Sequence, residues 1–269
     1  MRLFASGLRK LFRRLATWLT FALLSGLLAL ILVAVGGTAN RAGASVTQRA
    51  AALTLVTFPA AYDAILAFLL GLGGLFAVIY GASIAGSEWT WGTLKNAVAR
   101  GESRSRYMLL SFASIAAVIA IGLLASFLIG VVAALAGGRL AGVPTTGLDD
   151  AETLRRLPEQ FLRGAIAIVE EGALGFAIAT VARSQLAGIG AGIALYFGEQ
   201  FATIFLPDIV KYLPFHVANA VVATGSAFEG RGQQAASLDP NTAMLLVGVW
   251  LLGSLIVAAV FTERSEIGG

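Results

Sequence analysis

Six long runs of apolar residues, separated by short polar segments, dominate the chain. They cover approximately residues 15–37, 59–84, 107–137, 160–182, 186–206 and 241–262. Each is about as long as the roughly 20 residues with which a helix crosses a bilayer. None has the period-two alternation of a membrane barrel strand, and a helix satisfies its own backbone hydrogen bonds in lipid. The pattern predicts an all-α polytopic membrane protein with six transmembrane helices in one domain, 1–269.

The first run follows a basic start, as the apolar region of a signal peptide does. Such a region is typically about 7–15 residues long, whereas the sequence is nearly continuously apolar from Leu15 to Val35. We therefore expect the first run to be retained as a membrane helix.

Residues 2–14 precede that run and have apolar side chains at helical spacing. Basic residues occupy the opposite arc of the same helix. This pattern is typical of an amphipathic helix that lies on a membrane surface. The alternative is a disordered basic tail that serves only to set the topology.

Composition agrees with a membrane protein and removes several classes of chemistry. Hydrophobic residues make up 58% of the chain and charged residues 13%, against roughly 25% charged in soluble proteins. The absence of cysteine excludes disulfides, thiolate metal sites and cysteine nucleophiles. The one histidine, His216, cannot form a metal site alone, so we expect no metal and only an interfacial position for this ring.

The basic residues predict the orientation. With six spans, one side of the membrane holds eleven of the nineteen Lys and Arg residues: Arg2, Arg9, Lys10, Arg13, Arg14, Lys95, Arg100, Arg104, Arg106, Arg183 and Arg264. The positive-inside rule assigns this side to the cytoplasm. We therefore expect a multi-pass protein of the cytoplasmic membrane with both termini inside. The net charge is +4, but the location of the charges matters more than their sum. We therefore expect no nucleic-acid partner.

The polar segment 86–106, between the second and third runs, is longer than a turn requires. We expect Thr93 to cap a short helix that ends near Arg100, with Gly101 as its C-terminal stop. Trp89 and Trp91 fit the membrane interface. A basic helix at the cytoplasmic mouth is typical of a surface on which a partner docks.

Within that segment lies the run Glu88-Trp89-Thr90-Trp91-Gly92-Thr93-Leu94-Lys95-Asn96, with Arg100 and Arg104 beyond it. This run resembles the permease subunits of ABC-2 type transporters. Leu213-Pro214-Phe215 with Asn219, and Phe261 with Arg264, agree with that resemblance. In this family the segment forms a coupling helix that rests on a separate ATP-binding subunit. The resemblance implies that the contact and positioning set is Glu88, Gly92, Thr93, Leu94, Lys95 and Asn96.

The chain has no phosphate-binding loop of the form G-x-x-x-x-G-K-[ST], so ATP and Mg²⁺ would be bound by the partner and not by this chain. We accordingly expect no enzymatic activity in this polypeptide. The resemblance also implies a homodimer of permeases within a complex of two plus two subunits, and export rather than import. The substrate is not indicated.

The segment 207–240 before the last run is long and partly apolar. The resemblance implies a pair of short re-entrant helices at the external mouth, and Pro207 and Pro214 are placed to begin them. An ordinary external loop with one amphipathic helix is the alternative.

Three carboxylates lie where lipid is expected: Glu170, Glu171 and Glu199. At 1.5 Å per residue from the turn at Arg183, Glu171 and Glu199 are both roughly 15–20 Å deep. Charges at that depth are costly, so these side chains should face the protein interior. They could line a translocation pathway for a polar or cationic substrate, satisfy donors at helix contacts, or relay protons.

Gly188 and Gly192 form a small-x-x-x-small face in the fifth run, which permits close helix approach. The resemblance places that run at the dimer interface, so we expect these glycines to pack between two copies. A proton-coupled carrier built on the three glutamates and a membrane scaffold without transport remain the alternative functions.

Overall fold

The computed structural model describes residues 2–39, 46–144, 146–222 and 238–265. Within them the chain is helical and contains no strand, which confirms the all-α prediction. The helices, in chain order, are α1 Arg2–Phe12, α2 Leu15–Thr38, α3 Val46–Thr54, α4 Ala60–Thr90, α5 Thr93–Ala99, α6 Arg104–Ala141, α7 Ala151–Ala182, α8 Gln185–Ala202, α9 Pro207–Val210, α10 Pro214–Ala220 and α11 Pro240–Arg264.

Five of the described helices are long and apolar enough to cross a membrane: α2, α4, α6, α7 and α11. A polytopic helical membrane protein is therefore confirmed at this level. The fifth predicted run corresponds to α8, which has only 18 residues and contains Glu199 and Gln200 near its end. The count of six spans consequently stays a prediction.

Several helices are longer than the apolar runs. Helix α4 continues six residues beyond the predicted end at 84, and α6 extends the run 107–137 at both ends to 38 residues. Helix α7 begins nine residues before 160 because Asp150 caps it, accepting from the Thr153 amide at 2.9 Å and from the Thr153 hydroxyl at 2.6 Å. These bonds lower the pKa of Asp150, which lies outside the spans. Hydropathy finds only the lipid-matched part of a helix, so polar turns at its ends escape detection.

Helices α4 and α7 form the centre of the bundle. In their most apolar stretches 67% of the residues are buried, against 17% in α11. The other long helices surround this pair and expose leucines outward, such as Leu23, Leu128 and Leu252. An apolar exterior around a packed centre is the arrangement that lipid stabilises.

Glycines allow the backbones of α4 and α7 to touch. A Cβ added to Gly81 would lie 2.1 Å from the Gly172 carbonyl oxygen, and one added to Gly175 would lie 2.1 Å from the Val78 carbonyl oxygen. In lipid there is no hydrophobic driving force between helices, so their association depends on close van der Waals contact. Small residues at the helix contacts permit that contact.

One end of the bundle, the basic end, carries α1, α5, the α7–α8 turn and the end of α11. Arg104 at the start of α6 donates to the carbonyl oxygens of Glu263 and Ser265 at 3.0 and 2.9 Å. The α7–α8 turn joins the same end, because a Cβ on Gly86 would lie 2.2 Å from the Cα of Gln185. The segments that the sequence assigned to one side are therefore together.

The opposite end carries α3, the loop before α7 and the start of α11. Tyr62 donates to the Leu148 carbonyl at 2.9 Å, and Arg163 donates to the Asn241 side chain at 3.1 Å. Two short helices, α9 and α10, begin at Pro207 and Pro214 as expected. Residues 223–237 of the predicted external segment 207–240 lie outside the described residues.

The amphipathic α1 is confirmed as a helix, and its apolar side packs on α6. Leu11 is buried, and a Cβ on Gly7 would lie 2.4 Å from the Ser114 hydroxyl. Contacts with α6 thus attach α1 to the bundle, in addition to the membrane attachment that its amphipathic sequence predicts.

Candidate functional site

Glu88 lies in the last turn of α4, which continues to Thr90. The prediction placed this residue in a polar loop, and the longer helix corrects that position. Its side chain is only 2% exposed. Glu88 is therefore a buried carboxylate at the basic end and not a surface contact residue.

Three other helices hold the Glu88 carboxylate. Lys10 on α1 lies with its Nζ 2.5 Å from Oε1, and the Tyr107 hydroxyl on α6 donates to Oε2 at 2.6 Å. The Thr93 hydroxyl at the start of α5 donates to the same Oε2. One carboxylate thus joins α1, α5 and α6 to the end of α4, and charge-assisted bonds of this kind are the stronger ones in proteins.

Arg14, between α1 and α2, supplies a second cation to this cluster. Its Nη1 donates to the Ser87 hydroxyl at 2.8 Å, and its Nη2 lies 3.8 Å from Glu88 Oε1. The same guanidinium lies 5.0 Å from the centre of the Trp91 ring. The first two helices are therefore tied to the beginning of the α4–α5 connection.

Helix α5 confirms the short helix expected in the segment 86–106. It begins after Gly92, whose φ of 62° is left-handed and free of strain only for glycine. Thr93 is the first helical residue and not the cap, because its hydroxyl bonds back to Glu88. Gly101, with φ 89°, follows the helix end as expected.

The predicted coupling set divides into two groups by exposure. Glu88 and Leu94 are buried, and Gly92 and Thr93 shape the turn between α4 and α5. Lys95 and Asn96 are exposed on the outer face of α5. The exposed pair forms the most accessible part of the predicted set, with Trp91 at 64% exposure beside it.

Sequence analysis missed Lys10, Arg14 and Tyr107 as partners of Glu88. Lys10 is 78 residues away along the chain, and no spacing rule links two positions so distant. The available signal was indirect: Glu88 follows an apolar run directly, where a carboxylate needs a cation, and the basic residues of segments 2–14 and 86–106 offered several.

The three carboxylates that the sequence predicts to lie in the membrane are all buried, with Glu170 and Glu171 at 0% and Glu199 at 2% exposure. Among the described residues, neither oxygen of Glu170 or of Glu171 has a hydrogen-bond partner. Glu171 packs against α4 where Gly74 leaves room, since a Cβ there would lie 2.0 Å from Glu171 Oε2. The interpretation that these two glutamates satisfy donors at helix contacts finds no such donor there.

Glu199 differs because it bonds to the first backbone amides of α10. Its Oε2 accepts from the backbone amides of Phe215 and His216 at 3.1 and 3.3 Å. A carboxylate suits the free amides at a helix N-terminus. His216, expected only at the interface, also lies beside Glu199, with Nδ1 at 3.5 Å from Oε2 and Nε2 at 3.0 Å from the Thr203 hydroxyl.

Glu171 lies against Gly74 of α4, and Tyr196, three residues before Glu199 on α8, donates to the Gly71 carbonyl of the same helix at 3.3 Å. Glu170, Glu171 and Glu199, called here the carboxyl cluster, are therefore buried in the same part of the bundle. The described residues contain no group of three or more acidic, histidine or cysteine side chains that could hold a metal ion. The carboxyl cluster can instead accept protons or attract a polar or cationic molecule.

Gly188 and Gly192 pack inside the chain. A Cβ on Gly188 would lie 2.4 Å from the Cβ of Ala179 on α7, and one on Gly192 would lie 2.3 Å from a methyl of Val78 on α4. The close approach is as predicted, but both glycines already meet helices of the same chain. A dimer contact through α8 would have to use its other face.

Comparison of the sequence with protein-family models and with curated proteins found no match. The resemblance to ABC-2 permeases therefore rests on the motif residues and on the order of the helices. The structural features that bear on function are the contacts of Glu88 at the basic end and the carboxyl cluster.

Proposed function

We propose that the chain is the membrane subunit of an ATP-driven transporter of the ABC-2 type, and that α5 receives motion from a separate ATP-binding subunit. The observation that carries the proposal is the Glu88 cluster. A short exposed helix is joined through one buried carboxylate to α1, α4 and α6. A force applied to α5 would therefore reach three other helices at once, as rigid-body switching requires.

The exposed face of α5 has the chemistry of a docking surface. Lys95, Asn96 and Arg100 are exposed there, and Trp91 adds an apolar ring at the edge. Aromatic and arginine side chains are enriched where proteins bind one another. The partner groove would accordingly present carboxylates around an apolar centre and would supply the bound ATP and Mg²⁺.

Helix α8 would be the sixth crossing. The α7–α8 turn lies at the basic end and α11 begins at the opposite end, so α8 with α9 and α10 has to carry the chain between them. At about 1.5 Å per residue, 18 residues span about 27 Å, slightly less than the roughly 30 Å hydrocarbon core. Helices α9 and α10 would complete the crossing as the re-entrant pair at the external mouth.

The carboxyl cluster would line the translocation pathway for a polar or cationic substrate. Unpartnered buried carboxyls are costly in a membrane and are typical of functional positions. Because Glu199 also holds the first amides of α10, occupation of the pathway would be coupled to the external helix.

Two copies of the chain would pair with two ATP-binding subunits in the cytoplasmic membrane, with the basic end inside and export as the direction. The exposed face of α8 suits the pairing of copies. Gly190, Ala194 and Gly198 recur every four residues on that face, and added Cβ atoms on the two glycines would meet nothing within 4 Å. Small residues at this spacing permit close approach of a second helix.

The test is reconstitution of the full chain with the ATP-binding subunit that purifies with it. We expect substitution of Lys95 and Arg100 by Glu to abolish assembly or stimulated Mg²⁺-dependent ATP hydrolysis, since both charges are reversed on the docking face. Thermal stability of the isolated chain should stay within about 0.5 kcal/mol of wild type, because isolated surface substitutions rarely cost more.

The matched control is reversal of Arg155 and Arg156, which lie at the opposite end near the start of α7. ATP hydrolysis by that variant should equal wild type. Full coupling in the α5 variant, or purification of the chain from its own membrane without any nucleotide-hydrolysing protein, would contradict the proposal.

A proton-coupled carrier is the second candidate, and it is favoured by Glu170 and Glu171, whose carboxyl oxygens have no hydrogen-bond partner within the described residues. Vesicles that contain only this chain would then accumulate substrate when a proton gradient is imposed. Replacement of both residues by Gln should abolish that flux, whereas the ATP-driven mechanism expects no uphill flux from the chain alone.

A further inference from the structure

A cavity of about 190 Å³ lies at the basic end, between α1, α4 and α6. Its polar lining comes from Lys10 on α1, from Glu88 at the end of α4 and from Tyr107 and Ser111 on α6, and apolar side chains such as Leu110 line the rest. A cavity of about 150 Å³ holds benzene. The space between these three helices therefore has room for roughly one phosphate group with the carbons next to it.

Two groups in the lining have hydrogen-bond donors that the described part of the chain does not use. The Lys10 ammonium has three N–H groups, its partner there is Glu88, and its side chain is 37% exposed. The Ser111 hydroxyl is accessible and makes no hydrogen bond within the described residues. The other hydroxyls of the lining already donate to protein oxygens, and they belong to Ser6, Tyr107 and Ser114. A ligand with acceptor oxygens therefore suits the cavity.

The charges around the cavity favour an anion. Lys10 and Arg14 bring two positive charges to the single carboxylate of Glu88, which is 2% exposed and already bonded. Helix α1 contains no acidic residue and adds the exposed Arg9. An anion beside Lys10 would neutralise this excess of positive charge.

The position of α1 indicates that the anion belongs to a lipid and is not a soluble phosphate. Helix α1 ends at Phe12, and α2, which is long and apolar enough to cross the membrane, begins at Leu15. The cavity beside α1 would therefore lie at the depth of the lipid headgroups. Exposed apolar side chains on the same helices, such as Phe12 and Leu109, offer a surface to acyl chains. Basic amphipathic helices are attracted to anionic leaflets in this way.

We propose that this cavity binds the headgroup of an anionic phospholipid, whose phosphate accepts hydrogen bonds from the Lys10 ammonium and the Ser111 hydroxyl. Charge-assisted bonds of an ammonium to a phosphate are among the stronger ones in proteins. The bound lipid would join α1 to α6 beside the Glu88 cluster. This site is independent of the ATP-binding partner.

The test is isothermal titration calorimetry of the full chain in a nonionic detergent, with phosphatidylglycerol and phosphatidylcholine of the same acyl chains. We expect phosphatidylglycerol to bind at least about tenfold more tightly, because no choline cation offsets its negative charge. Its affinity should fall when NaCl is raised from about 0.05 to 0.5 M, since salt screens charges at an accessible site. Equal affinities of the two lipids would overturn the proposal. Competition by glycerol 3-phosphate at the concentration of the lipid would overturn the assignment to a lipid.

Two substitutions of Ser111 separate its hydroxyl from the space beside it. Ser111→Ala should weaken phosphatidylglycerol binding by about tenfold, the effect of one hydrogen bond to a charged group. Ser111→Leu should fill the cavity and remove the binding. The matched control is Ser105→Ala, which should bind like wild type, because Ser105 lies on α6 outside the cavity lining and its backbone amide keeps its bond to Glu263. Wild-type affinity of Ser111→Ala, or an equal loss in Ser105→Ala, would contradict the site. If Ser111→Leu does not fold, the comparison of the two alanine variants decides.

Discussion

Buried carboxylates in this chain fall into two kinds that differ in their surroundings. Glu88 is surrounded by a lysine, a tyrosine and a threonine from three helices. Glu171 is equally buried but has no hydrogen-bond partner among the described residues. A satisfied buried charge stabilises the helices that hold it, whereas an unsatisfied carboxyl contributes a desolvation cost.

Replacement of Glu88 by Gln should destabilise the fold. The amide keeps the shape but loses the negative charge that holds Lys10 and strengthens the bonds from Thr93 and Tyr107. We expect the free energy of unfolding of the purified chain in detergent to fall by about 1.5–3 kcal/mol, the range for hydrogen bonds to charged groups.

The control for that substitution is Glu152→Gln, since the ion pair of Glu152 with Arg156 is exposed. Exposed pairs contribute about 0–1 kcal/mol, so its unfolding should be close to wild type. Equal effects of the two substitutions on the free energy of unfolding would mean that burial of the Glu88 cluster contributes nothing to stability.

Replacement of Glu171 by Gln should have the opposite outcome. Because its carboxyl oxygens have no hydrogen-bond partner to lose among the residues that the structure describes, we expect the free energy of unfolding to change by less than about 1 kcal/mol or to rise. The measurement is thermal unfolding of the Glu171→Gln and Glu88→Gln variants side by side. A loss as large as that of Glu88→Gln would reveal a strong partner, such as bound water, at Glu171.

At the scale of elements, α8 has two faces with different tasks. The face with Gly188 and Gly192 packs on α7 and α4 of its own chain, and the face with Gly190 and Gly198 is open. A four-residue spacing of small residues predicts close approach on both faces and does not tell which neighbour each one meets.

The two faces predict opposite effects of the same substitution. Gly188→Leu should destabilise the monomer by about 1–3 kcal/mol, because the added side chain would overlap the backbone of α7 near Ala179. Gly190→Leu should leave thermal unfolding unchanged and reduce the dimer fraction in size-exclusion chromatography with light scattering. Loss of the dimer with Gly188→Leu while stability is kept would reverse this assignment.

At the scale of the whole molecule, the helix ends sort into a basic end and an opposite end. This sorting agrees with alternating crossings by the long helices and requires the chain to return across the bundle between α7 and α11. The sidedness of α9 decides whether α8 makes that return as a sixth span.

The absence of native cysteine makes the sidedness directly measurable. Single substitutions Lys95→Cys, Arg156→Cys and Asp208→Cys place one thiol at the basic end, at the opposite end and on α9. We expect a membrane-impermeant maleimide to label Arg156→Cys and Asp208→Cys in intact cells and Lys95→Cys only after permeabilisation. Labelling of Asp208→Cys together with Lys95→Cys would remove the sixth crossing.

The sequence predicted the parts of the site that follow from local pattern. It located the short helix of the segment 86–106, although with Thr93 and not Gly92 as its cap. It also located the helix end at Gly101 and the starts of α9 and α10 at prolines, because each depends on the backbone preference of one residue. That Glu171 and Glu199 lie at the same depth stays a prediction from the tight turn between α7 and α8. The sequence missed the bonds of Glu88 to Lys10 and Tyr107, since contacts between distant segments depend on how the helices pack.

The sequence by itself determined a helical membrane protein, because the length and apolarity of a run fix its free energy in lipid whatever its neighbours are. It also determined which helix ends carry the basic residues. Only the tertiary structure decided which partners each buried polar group receives. Glu88 bonds to side chains from three other helices, and Glu171 has no hydrogen-bond partner in the part of the chain that the structure describes. The reason is that neighbours in a bundle are set by side-chain packing between helices and not by position along the chain.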